Sequence, residues 1–136
     1  MMTLHENIRL ILSCLCVGLI AGCNPPYKPD YDNGYGMIIY KDTCQNQKVY
    51  LVSFVNLHTD VSGNRYEDSL TISQTTYSHV VRLDSTQSDF LSKSKVYDKV
   101  AIDFNKGSRS MLPACVGLGA NSIETIRVLS IRNVQY

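Results

Sequence analysis

The sequence predicts an all-β domain, on three observations. Q-K-V-Y-L-V-S-F-V-N-L (47–57) is apolar on both alternations, with Val49, Leu51, Val55 and Leu57 on one and Tyr50, Val52 and Phe54 on the other, as in a strand buried on both faces or one that bends between sheets. V-Y-D-K-V-A-I-D-F (96–104) alternates cleanly: Val96, Val100, Ile102 and Phe104 point one way, Tyr97, Lys99 and Asp103 the other. After the first two dozen residues, no stretch sustains helical periodicity over three turns.

The chain has 136 residues and a net charge of +1, enough for one domain, with its charges interspersed. There is no basic stripe to track nucleic acid and no acidic tail, so a nucleic-acid partner is not expected. The apolar run from Leu10 to Ile20 is only eleven residues long, against roughly twenty for a membrane-spanning helix. With Arg9 and the amino terminus ahead of it, it fits the core of an export signal.

Ile20-Ala21-Gly22-Cys23 closes that run. A branched apolar residue, two small residues and a cysteine resemble the lipobox of bacterial lipoproteins; an ordinary secretory signal or a buried helix with an incidental cysteine are the other readings. The resemblance implies cleavage before Cys23, alkylation of its thiol with diacylglycerol, and acylation of the new amino terminus by a chain such as palmitate. Each buried methylene contributes about 0.8 kcal/mol, and stable attachment takes at least two chains. Residues 1–22 are then a signal peptide and the mature protein hangs from the membrane by lipid. Asn24 stands where an Asp would mark retention at the inner membrane, which points to the outer membrane.

Cys14 and Cys16 leave with the signal, and of the five cysteines only Cys44 and Cys115 remain unmodified. In an oxidising compartment two such thiols tend to pair, closing a loop of about 70 residues for about 2–4 kcal/mol. A buried free thiol or a metal ligand is the alternative for each.

Residues 23–36 include N-P-P-Y-K-P-D-Y-D-N-G-Y-G, with all but one of the four prolines, and read as a flexible tether ahead of a single domain at 37–136. Tyr27, Tyr31 and Tyr35 recur in it every four residues. M-I-I-Y (37–40) is a short added strand, and 47–57 the first long one. D-V-S-G-N-R (60–65) is a turn leading into a hairpin partner at 66–73. Gln74 is a tight turn before T-T-Y-S-H-V-V-R-L (75–83). Residues 86–94 hold room for one helical turn, capped by Ser88 or Asp89. A strand at 96–104, a long loop at 105–121 and a last strand at 122–134 follow. In that last strand the apolar phase shifts between Val128 and Leu129, a bulge signal. Five to six strands in this succession match a small Greek-key barrel of the OB type. A β-sandwich is the alternative, though the chain has no tryptophan and its cysteine spacing does not suit the immunoglobulin pattern.

The lipobox, Y-E-D-S-L-T-I-S-Q-T-T-Y-S-H-V-V, K-V-Y-D-K-V-A-I-D-F, the downstream P-A-C and the closing I-R-V-L-S-I together resemble small Bacteroidetes lipoproteins with a compact β-barrel. The likeness spans most of residues 44–134 and rests on strand patterning. It implies a bridge between Cys44 and Cys115, since the cysteine beside the first strand and the one in the last loop often occur together in that group. The tether lacks the acidic run that often sends such lipoproteins to the cell surface, so either face of the membrane stays open.

No catalytic signature stands in the chain. G-x-S-x-G is absent, and V-G-L-G-A (116–120) has neither the context nor the lysine of a phosphate cradle. His58 with Asp60, and with His79 added, is the nearest approach to a metal or hydrolytic set; solvated strand ends are the simpler reading. No cofactor and no metal is implied. In OB barrels the second and third strands and adjacent loops take ligands, which singles out Tyr66, Tyr77, His79, Arg82, Lys106 and Arg109. The rings could stack on sugars and the cations meet anions, or Tyr66 and Tyr77 could pack as a cross-strand pair. The expected function is a non-enzymatic, membrane-anchored module that binds another envelope protein or a glycan. A small envelope hydrolase using His58, Asp60 or His79 is one alternative, a purely structural spacer the other.

Overall fold

The computed structural model describes residues 30–59, 65–114 and 122–134. The signal peptide, Cys23, most of the tether, Asp60, Cys115 and the glycine-containing stretch 116–120 lie outside the described residues.

Seven strands and one short helix follow in order: β1 Asp32–Cys44, β2 Gln47–His58, β3 Leu70–Ile72, β4 Thr75–Tyr77, β5 Val80–Leu83, α1 Ser88–Lys93, β6 Lys99–Met111 and β7 Ser122–Asn133. Five of them close a barrel in the order β1-β2-β5-β7-β6, and β3-β4 form a separate two-stranded hairpin. All barrel pairs are antiparallel except β5 with β7. That single parallel contact is made possible by the excursion through α1 and β6, because parallel neighbours need a crossover. The arrangement is an OB-like Greek-key barrel, as the sequence predicts, and barrel closure disposes of the sandwich alternative.

Two clusters of buried side chains explain why β2 is apolar on both alternations as far as Phe54. Beyond it Val55 is exposed and Leu57 packs against the interior cluster, so the phase expected to hold Val49, Leu51, Val55 and Leu57 together is broken. Tyr50, Val52 and Phe54 face the barrel interior with Ile38, Val81, Leu83, Val100, Ile102, Phe104, Ile126 and Val128. Val49 and Leu51 face outward, into a second cluster with Ile39, Leu70, Val80, Leu112 and Ile123. The β3-β4 hairpin supplies Leu70, Ile72 and Tyr77 to that cluster, so it covers the outer face of the barrel there. Leu91 of α1, fully buried, enters the interior cluster. Phe54 stacks on Phe104 with ring centroids 5.3 Å apart, and Tyr66 meets Phe104 edge-on at 5.6 Å.

Several local expectations hold. Asp103 pairs with Ser130 and Phe104 with Val128, which leaves Leu129 as the extra residue of a bulge where the apolar phase shifts. Ser73 and Gln74 carry φ of 47° and 70°, the two positive values of a two-residue type I′ hairpin.

Others are corrected. β1 begins at Asp32, so residues 32–36 of the expected tether belong to the barrel, and 37–40 is the middle of the first barrel strand, not an added one. Gln45 and Asn46, with φ of 49° and 62°, join β1 directly to β2. Of 66–73 only Leu70–Ile72 is strand, and it pairs with β4, not β2. The run 75–83 is broken at Ser78–His79, where His79 takes φ of 51°. Ser88 and Asp89 lie inside α1, whose N-cap is Gln87. β6 continues through Met111 into the expected loop, with an irregularity between Lys106 and Arg109. Val96 sits in the turn before β6 and is 38% exposed.

A polar groove on the outer face of the barrel as candidate functional site

Val81 and Leu83 point into the barrel, so strand alternation turns Arg82 outward. Arg82 pairs with Leu51 of β2 on one side and with Thr125 of β7 on the other. Across β7, Ser110 of β6 joins the same outward row: Ser110 Oγ lies 2.7 Å from Thr125 Oγ1, and the Arg82 guanidinium donates to Ser110 Oγ at 3.5 Å. These three side chains form the floor of a groove of about 640 Å³. The tight turn at Asn46 and the first residues of β2, Gln47 and Lys48, make one wall; Asp84 and Ser88 make the other.

The irregularity in β6 shapes this floor. A Cβ on Gly107 would collide with the carbonyl oxygen of Thr125, so only glycine lets β6 come this close, and the displaced chain puts both Ser108 and Ser110 on the groove. Among the described residues Asp84 is the only acid lining the groove. Its Oδ1 accepts from the Val128 amide at 3.0 Å and from Thr86 Oγ1 at 2.8 Å, which ties the segment after β5 to β7. Among the described residues no carboxylate lies within 4.0 Å of Arg82 or Lys48.

The residues singled out in the sequence scatter. Arg82 lines the groove. Arg109 precedes Ser110 and so points to the opposite face, where its guanidinium donates to Asp68 Oδ1 at 2.7 Å and to the Ser122 carbonyl at 2.7 Å and lies 3.7 Å from Glu124. The hydrogen bond to Asp68, then the charges of Asp68 and Glu124, raise its pKa above the usual arginine value despite some desolvation. It is a structural clamp. Lys106 is exposed and outside the groove lining. Tyr66 is buried in the interior cluster, whereas Tyr77 packs against the outer one, so they form neither a stacking platform nor a pair. Desolvation and a hydrogen bond shared with Tyr97 raise the Tyr77 phenol pKa.

His79 is exposed, with its Nδ1 2.7 Å from the Tyr66 carbonyl. Its own carbonyl accepts from the Phe54 amide, four residues along β2 from His58, a separation of about 13 Å along the strand. Among the described residues no three His, Cys, Asp or Glu side chains converge as metal ligands. Lys48, Ser88, Ser108, Ser110 and Thr125 were not evident as site residues, because a hydroxyl or a lysine on the solvent phase of a strand has no sequence mark. The one available signal was parity at position 82, which stands between the inward-facing Val81 and Leu83.

A second hollow, of about 400 Å³, is apolar and lined by Tyr35, Met37, Val55, Val100 and Val134, with Lys99 and Asn56 at its rim. No helix among the described residues is long and apolar enough to cross a membrane. Comparison with known proteins finds no matching family model, no matching curated protein and no matching solved structure.

Proposed function

We propose that this chain is an envelope lipoprotein, anchored through Cys23, whose barrel is a non-enzymatic binding module for a glycan. The observation that carries the ligand reading is the row Arg82–Ser110–Thr125 on the floor of the outer groove. Arg82 on the third barrel strand, and the β1-β2 turn at Asn46 that also lines the groove, belong to the region where barrels of this type take oligosaccharides or oligonucleotides. A single-stranded nucleic acid would want aromatic rings for its bases, and among the described residues the groove lining contains none. A protein partner would want an apolar, often aromatic centre, whereas nearly every lining residue here is hydroxyl, amide or charged. Closely spaced hydroxyls and a guanidinium suit the vicinal hydroxyls of sugars.

The anchor rests on Ile20-Ala21-Gly22-Cys23 and the short apolar run before it. Residues 1–22 are the signal peptide, and outer-membrane placement follows from Asn24. A bridge from Cys44 to Cys115 fits the same compartment. Cys44 is buried with Leu112 in the outer cluster, and Leu112 is three residues from Cys115, a span of at most about 10 Å.

The test is retention of the full-length protein on immobilised peptidoglycan, capsular polysaccharide and lipopolysaccharide. Retention on at least one of them, lost in Ser110→Leu with the melting temperature kept, is the expected result. Passage through all three matrices, or retention that Ser110→Leu leaves intact, contradicts the proposal.

A further inference from the structure

We infer that the groove selects acidic saccharides, reading a carboxylate or phosphate on the sugar through Arg82 with Lys48 at the mouth. The inference rests on the glycan reading above and adds the charge of the ligand to it.

Arg82 is half-buried, and the only hydrogen bond of its side chain among the described residues is the 3.5 Å contact to Ser110 Oγ. Arg65, Arg109 and Arg132 each have a carboxylate within 4.0 Å. A cation withdrawn from water without an opposite charge costs free energy that an incoming anion relieves. Ser110, itself joined to Thr125 at 2.7 Å, meets one N–H of the guanidinium and leaves the remaining N–H groups for a ligand. Lys48 is exposed at the opposite wall. The opposing charge, Asp84, is committed through Oδ1 to a backbone amide and a hydroxyl. Among the described residues the lining holds no aromatic ring for stacking, so charge-assisted hydrogen bonds are the strong contacts it offers.

The experiment is calorimetric titration of the full-length protein with trigalacturonate, its methyl ester, maltotriose and 6-phosphorylated maltotriose. The charged members are expected to bind at least about ten-fold more tightly than their neutral counterparts, weakening as salt rises. Trigalacturonate and phosphorylated maltotriose compared with each other tell a carboxylate source from a phosphate source. Arg82→Gln is expected to abolish the preference. Arg132→Gln removes the same charge beside Asp103, outside the groove lining, and is expected to leave it intact. Equal binding of charged and neutral members overturns this inference and leaves the glycan reading standing. A preference that Arg132→Gln and Arg82→Gln reduce alike is non-specific attraction and also overturns it. Binding of none of the four overturns both.

Discussion

Arg82 and Arg109 differ in what answers their charge, and the difference follows from side-chain direction alone. Arg109 is met by Asp68 and Glu124, while the groove around Arg82 offers hydroxyls. Asp68 is the hub of the first arrangement, accepting from Arg109 through Oδ1 and from the Glu124 amide through Oδ2 at 3.1 Å, while its carbonyl accepts from Val80. Asp68→Ala is therefore expected to cost about 1–3 kcal/mol in urea denaturation, from two orphaned donors and the nearby buried Glu124. An unchanged midpoint would show that the clamp contributes nothing. Tyr50 has its pKa raised above 10.0 by desolvation in the barrel. A phenol that is a weaker acid when folded contributes stability that is intact below its unfolded pKa and is lost as pH rises through the folded value. Denaturation midpoints should thus fall above about pH 10, and fall less in Tyr50→Phe. Parallel curves for the two proteins would contradict this.

At the scale of elements, glycine and turn residues divide what was legible from what was not. The density of proline and glycine before Met37 reads as tether, yet Gly36 is where β1 presses on β2: a Cβ there would stand 2.7 Å from the Ser53 carbonyl oxygen and from Val52 Cγ1. The same residue type signals a loop in sequence and close strand packing in three dimensions, so the start of β1 was hidden. The Gln45-Asn46 turn was missed because neither residue is glycine, although both take positive φ. By contrast, the double apolar phase of β2, the bulge at Leu129 and the turn at Gln74 were readable, since each is a departure from simple alternation with one physical cause. The β3-β4 turn carries Ser-Gln where Asn-Gly is preferred. Ser73→Asn with Gln74→Gly is expected to stabilise by about 0.5–1 kcal/mol, read as a higher melting temperature. A lowered one would mean that this turn is not type I′. Leu91→Ala, which empties the contribution of α1 to the interior cluster, is expected to cost about 2–5 kcal/mol.

At the scale of the whole molecule, the barrel and its outer hairpin set where a ligand can be met. The hairpin packs on an outer cluster drawn from β1, β2, Val80 of β5 and Ile123 of β7, and the groove takes its lining from β2, β5, β6 and β7. Of the groove only Arg82 was legible beforehand, because recognising the rest requires the β6 irregularity that brings Ser108 and Ser110 beside Thr125. On the proposed lipid anchor at Cys23, Cys23→Ala is expected to move the protein from the membrane fraction to the soluble one. Continued sedimentation with membranes would refute the lipid anchor. The most direct test of the binding role is an NMR titration of the protein with trigalacturonate, followed through backbone amides and the Arg82 side chain. Shifts concentrated at Lys48, Arg82, Ser110 and Thr125 are the predicted result. Shifts confined to the apolar hollow around Tyr35, Val55 and Val134, or no shifts at all, would contradict it.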